Sequence, residues 1–210
     1  MQQAQGDLEG ALKSYQDSLG IKDKLAKSDP GNVAWQGGLA ASYGSIGEVQ
    51  KAQGDLAGSR QSYNMVLPIM ARLAKSNPSN VGWQGGLAEA YYKIGDVQVA
   101  QGDLAGALKS YQDSRAIIEP LVKSDPSNAG WQSGLAMTLS KLADVHMQSG
   151  DKARARDYLR QGRAIMARLT KLSPDNAQWK EDLAGFDAQI AELDRSAGQT
   201  RASGRPAKHK

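Results

Sequence analysis

Residues 35–40 read WQGGLA, and residues 83–88 read WQGGLA again. A third copy, WQSGLA, stands at 131–136 and a fourth, WKEDLA, at 179–184. The four tryptophans of the chain therefore fall at 35, 83, 131 and 179, a constant spacing of 48. The same period relates Pro30, Pro78, Pro126 and Pro174, and also Gly6, Gly54, Gly102 and Gly150. AQGDL opens three copies at 4, 52 and 100, and has decayed to QSGDK at 148. Ile21, Leu25, Lys27, Asn32, Leu39 and Ala40 recur in all four copies with no insertion. Self-similarity at such a period is the mark of a repeat architecture.

Each period holds two helical segments and two stops. At QGD the glycine is expected to take the left-handed conformation that ends a helix, and the aspartate to cap the next one. The second stop is the turn SDPGN, SNPSN, SDPSN or LSPDN, with Asn32, Asn80, Asn128 and Asn176 placed as N-caps. The segment after QGD runs from about Leu8 to Ala26, with Ala11, Tyr15, Ile21 and Leu25 on its apolar side. The next runs from about Val33 to Gln53, with Trp35, Leu39, Tyr43, Ile46 and Gln50. Spacings of three and four predict amphipathic helices in both.

These residues resemble the tetratricopeptide repeats, whose pattern places an aromatic, Leu-Gly and Tyr on one helix, then Ala and an aromatic on the other, then Pro. Tyr43, Ile46 and Gly47 stand in for the first part, and Gly54, Ala107 with Tyr111, and Pro126 for the rest. Tyr91, Ile94, Gly95 and Gly102 repeat the match; Leu139, Leu142 and Ala143 give a weaker third copy. The family's usual tyrosine position is held by Gln50, Gln98 and His146, which makes that packing site more polar. The period exceeds the family norm of about 34. Both halves of each repeat are about seven residues longer, nearly two helical turns, as in a long-repeat bacterial variety of the family. The resemblance implies an all-α fold, a right-handed α-solenoid of antiparallel helix hairpins with about eight helices. It spans residues 1–195, closed by a capping helix at about 177–194, with 196–210 as a disordered basic tail. An exposed apolar helix face is expected at the N-terminal end, and kinks at Pro68 and Pro120.

Composition fits a folded protein rather than a disordered one, with 40% hydrophobic and 23% charged residues among 210. There is no cysteine, so disulfides and thiolate metal sites are excluded. The net charge of +4 resides in the tail, through Arg201, Arg205, Lys208 and Lys210. The pI of 9.2 is therefore weak support for nucleic-acid binding. No stretch approaches the ~20 apolar residues of a membrane span, and a cytoplasmic protein is the default expectation. No catalytic, cofactor or metal constellation emerges, and His146 reads as a packing residue.

In such arrays the first helix of each repeat, here the one bearing tryptophan, lines a concave groove. Opposite its packing stripe the expected groove residues are Glu48, Lys51, Glu89, Tyr92, Asp96 and Val99, then Met137, Asp144 and Met147. One rung is acidic in every copy, at Glu48, Asp96, Asp144 and Glu192. The bland explanation is a solvated face in which Asp96 and Asp144 pair with Lys93 and Lys141 one turn back. The functional one is an acidic ladder, flanked by apolar side chains, for a basic and partly apolar peptide. The Lys and Asn pattern by which some family members clamp a terminal carboxylate is missing. The expectation is a non-enzymatic protein-interaction scaffold without cofactors, with a self-associating structural solenoid as the alternative. The Gly37–Gly38 pair, each costing about 1 kcal/mol of helix stability relative to alanine, reads as a side-chain-free start to this groove. Close backbone approach is the weaker explanation, because Glu181 and Asp182 stand there in the fourth copy.

Overall fold

A computed structural model describes residues 7–203. They form eight helices: α1 (Leu8–Ser28), α2 (Val33–Ala52), α3 (Leu56–Ser76), α4 (Val81–Ala100), α5 (Leu104–Ser124), α6 (Ala129–Gln148), α7 (Lys152–Leu172) and α8 (Ala177–Ser203). No strand occurs among the described residues. The odd-numbered helices α1 to α7 have 21 residues and α2, α4 and α6 have 20. Both helices of the repeat are thus lengthened, as the spacing of stops requires.

The stops work as their chemistry predicts. Gly54, Gly102 and Gly150 have φ of 81°, 77° and 83°, a region that costs a residue with a Cβ and costs glycine little. The aspartates that follow accept from backbone amides of the next helix's first turn. Asp55 takes Gly58 at 2.9 Å and Asp151 takes Arg154 at 3.0 Å. Asn32, Asn80, Asn128 and Asn176 each accept from the amide of the tryptophan three residues on, at 3.1 to 3.3 Å. These caps satisfy donors that a helix start otherwise leaves open.

The fold comprises two compact units, one ending at Leu121 and the other beginning at Val122. In the first, α1 packs on α2, α2 on α3 and α3 on α4. Its core joins Ala26, Leu39, Val66, Met70 and Leu73, with Trp35 and Trp83 packed against them. In the second, α6 packs on α7 and α7 on α8, around Ala136, Leu159, Met166, Leu169, Phe186 and Leu193. Arg156 on α7 pairs with Asp194 on α8 at 2.8 Å, and Arg163 pairs with Asp187. The architecture is an α-solenoid of consecutive helix pairs.

The polar positions of the repeat are satisfied by rungs that recur. Gln50 accepts from Ser62 at 2.6 Å, and Gln98 from Ser110 at 2.7 Å. In the third copy the same two positions are His146 and Tyr158, whose rings stack with centroids 5.5 Å apart. A second rung begins at the glutamine after Trp35 and after Trp131. Buried Gln132 accepts from Arg168 at 2.6 and 3.0 Å and donates to the carbonyl of Pro126. Gln36 likewise accepts from Arg72 and donates to the carbonyl of Ala26 at 3.0 Å.

Two expectations need correction. The last helix continues past Asp194 to Ser203, because Ser196 to Ser203 includes no proline and only one glycine. The remainder of the expected disordered tail, 204–210, lies outside the described residues. Close approach, rather than open space, explains Gly37: a Cβ there would lie 2.9 Å from the indole of Trp83. Gly38 is looser, 3.7 Å from a flexible Lys22 methylene, and Gly86 would meet the Met70 sulfur at 3.0 Å.

On α1, Ile21 and Leu25 are 64% and 38% exposed, and Val33 on α2 is 49% exposed. Their counterparts on α3, Ile69 and Leu73, are buried. The apolar face expected at the N-terminal side is present.

Candidate functional site

Glycine at 47 and 95 allows a tyrosine ring to lie on the helix backbone. Added Cβ atoms there would sit 3.0 Å from the Tyr63 ring and 2.6 Å from the Tyr111 ring. Each ring carries its hydroxyl to the acidic residue beside the glycine. The Tyr111 hydroxyl donates to Asp96 at 2.7 Å, and Tyr92 rests tilted on the Tyr111 ring at 5.7 Å. In the copy before it the arrangement fails to close. The Tyr63 hydroxyl is buried without a well-formed hydrogen bond, although it lies near enough to Glu48 for the two to interact, and Glu48 pairs with Lys93 of α4. Glu48 still acts on the phenol electrostatically: burial first, and the Glu48 charge second, push its pKa upward.

At Glu48 and Asp96 the acidic rung is bridged between helices rather than along one. Lys93 reaches Glu48 on α2, and Lys51 on α2 reaches Asp96 on α4 at 3.3 Å. The expected pairing of Asp96 with Lys93 one turn back is replaced by these two cross-links. Burial opposes ionisation of Glu48, but the Lys93 ammonium outweighs it and holds the carboxyl below the ordinary glutamate value. Burial also works against the Lys93 charge, and Glu48 more than offsets it, raising the lysine. Glu89, one turn before Lys93, is exposed and forms no salt bridge among the described residues.

Each unit has a recess on its own helices. The first, of about 350 Å³, lies among α2, α3 and α4, with Glu48, Glu89 and Lys93 at its polar side and Tyr63 in its wall. The second, of about 220 Å³, lies among α6, α7 and α8, bordered by Met137, Met166, Glu181, Asp182 and Phe186. They occupy the same repeat positions two periods apart, Met70 matching Met166 and Ala41 matching Met137. Each presents two carboxylates beside methionine.

Of the expected groove residues, Glu48 and Glu89 border the first recess and Met137 the second, 49% exposed. Lys51 and Asp96 form a cross-link, and Tyr92 flanks it through Tyr111. Val99 and Asp144 are half-buried and border neither recess, while Met147 packs against the core of the second unit. Sequence reasoning missed Tyr63 of the first recess and placed Lys93 only as a partner of Asp96. The signal was present in the period, since Tyr63 and Tyr111 are one position and Gly47 and Gly95 another.

Two family models match the chain, each described as a tetratricopeptide repeat, over residues 89–115 and 135–172. Both matches begin on a tryptophan-bearing helix, α4 or α6, and continue into the helix after it. The two matched segments are tetratricopeptide repeats. No curated protein matches the sequence. Among solved structures, BtubC (BKLC) from P. vanneervenii is similar over 90% of this chain, at 19% identity and a TM-score of 0.66. The chain spans 66% of the length of that structure. A set of nearly identical TPR-like repeats from Podosopora anserina matches over 96% of this chain and 88% of its own, at 22% identity and a TM-score of 0.60. MamA matches over 94% and 95%, at 16% identity and a TM-score of 0.50. At these identities the likeness concerns the fold. Tetratricopeptide repeats are protein-interaction scaffolds and in general not enzymes. Among the described residues no group of three or more His, Cys, Asp or Glu could hold a metal ion, and no helix is long and apolar enough to cross a membrane.

Proposed function

We propose that this chain is a scaffold whose groove face binds an extended, partly apolar and basic segment of a partner protein. The observation that carries this reading is the pair of equivalent recesses, each with two carboxylates beside a methionine wall. The cross-links of Glu48 and Asp96 neutralise two of the ladder's four acids, so Glu89, Glu181 and Met137 are the groove groups with most to offer. Methionine suits such a surface because its flexible thioether adapts to different apolar side chains. Glu89→Lys and Met137→Lys, both at exposed positions, should each reduce partner capture from the source cell extract while the helical spectrum stays unchanged. Capture profiles identical to wild type in both variants would end this reading.

A second reading, self-association, draws on the exposed Ile21, Leu25 and Val33. Sedimentation at increasing concentration should show association that Ile21→Gln with Leu25→Gln abolishes. A monomer at every concentration would remove it.

A further inference from the structure

We propose that the recess among α2, α3 and α4 seats one lysine side chain of the partner segment, its ammonium held between the Tyr63 hydroxyl and the carboxylates of Glu48 and Glu89. The inference rests on the peptide-groove reading and adds the chemistry of a specific contact.

The first support is the unsatisfied hydroxyl. Tyr63 is 3% exposed and its oxygen has no well-formed hydrogen bond, a state that folded proteins avoid. At the equivalent position Tyr111 has Asp96, and in the second unit Leu159 removes the hydroxyl altogether. Among the described residues, Tyr63 borders a recess with a buried polar atom that lacks a well-formed hydrogen bond. A phenol is protonated near neutral pH, so the hydroxyl can accept a hydrogen bond from a cation while directing its own proton to Glu48.

The second support is charge. Glu48, Glu89 and Lys93 leave the recess with one net negative charge, and Glu89 carries no salt bridge among the described residues. A cation restores neutrality; a carboxylate would add to the excess.

The third is shape and valence. Ala40, Ala41, Gly44, Gly86 and Ala90 line the recess with almost no side chain, and a Cβ added at Gly44 would touch nothing within 4 Å. A slim alkyl stem can lie along such a wall and leave its charged head at the polar end. An ammonium brings three donors and no acceptor, matching three acceptors that do not share one helix. A guanidinium, planar and forked, asks for coplanar acceptors.

The test uses the full chain labelled with ¹⁵N and titrated with Nα-acetyl-lysine methylamide, followed at the amides of Gly44 and Gly86. Gly185, in the second recess, serves as the internal reference. The lysine probe should give saturable shifts at Gly44 and Gly86, larger than at Gly185. The norleucine analogue should give none and the arginine analogue weaker ones. Glu89→Gln and Tyr63→Phe should each weaken the lysine probe by about tenfold, the scale of one hydrogen bond to a charged group. Tyr63→Phe should melt close to wild type, because the hydroxyl has no well-formed hydrogen bond to lose and gives up only its interaction with Glu48. No saturable shift, equal response to norleucine, or arginine binding as tightly as lysine would each overturn the assignment. So would Tyr63→Phe lowering the melting temperature with probe binding unchanged, since the hydroxyl would then serve the fold alone. If the probe fails while Glu89→Lys still abolishes partner capture, the lysine seat falls and the groove reading stands; the reverse result separates them the other way.

Discussion

At Gly37 and Gly44 the same residue type serves opposite ends. The indole of Trp83 occupies the space a Cβ would need at Gly37, whereas Gly44 borders an open recess. Gly37→Ala should therefore lower stability, since forcing atoms against a rigid ring costs about 1–3 kcal/mol and exceeds the helix propensity gained. Gly44→Ala should raise stability by about 1 kcal/mol and at the same time narrow the recess. Urea denaturation of the two variants reads both signs; equal effects would show that the Trp83 contact is immaterial. This residue also shows where sequence reading stopped. The stops were legible because Gly54, Asp55, Pro30 and Asn32 act on their own backbone, within a few residues. The role of Gly37 was not, because its neighbour is 46 positions away. Comparison among the copies misled as well, because equal positions differ in their surroundings: a Cβ added at Gly85 would meet nothing within 4 Å. Ser133 holds the position in the third copy, so the constraint belongs to the Gly37–Trp83 pair and not to the repeat at large.

Between elements, polar rungs do what the apolar stripes leave undone. Gln132 is fully buried and takes two hydrogen bonds from Arg168. A double-mutant cycle of Gln132→Ala and Arg168→Ala should return a coupling of about 0.5–3 kcal/mol; additive losses would mean that the contact is incidental. The Glu48–Lys93 link makes a pH-dependent contribution whose sign follows from its two shifts. Glu48 is depressed in the fold, so its contribution is present above the ordinary glutamate range and lost as pH falls through the lowered value. Lys93 is raised, so its contribution is present below the ordinary lysine range and lost as pH rises through the elevated value. Glu48→Gln should flatten the acid limb of the melting-temperature profile below about pH 4, and an unaltered limb would argue against the link. These pairings were hidden in the sequence because one helix shows which residues share a face and not which face lies opposite. Lys93 was visibly near Asp96 along α4, and Glu48 on α2 proved the better placed acid.

Across the molecule, equal letters carry unequal energies. Leu25 and Leu73 occupy one repeat position, yet Leu25 is 38% exposed and Leu73 only 3%. Leu73→Ala should cost about 2–5 kcal/mol, the range for emptying a packed site, and Leu25→Ala well under half as much. Similar losses would contradict the burial. The repeat architecture, the helix count and the stripes that build each core were readable from the period of 48. The recesses were not, because each is assembled by three helices whose separations depend on packing.

The two cross-links between α2 and α4 run with opposite polarity, acid to base at Glu48–Lys93 and base to acid at Lys51–Asp96, three residues apart on both helices. A slip of one helix past the other by a turn would bring Glu48 opposite Asp96, or Lys51 opposite Lys93. Either displacement exchanges an attraction for a repulsion, so the rungs work as a keyed lock that recognises one alignment of nearly identical hairpins. In a chain whose copies are similar enough to be mistaken for one another, that alternation is an error check on assembly.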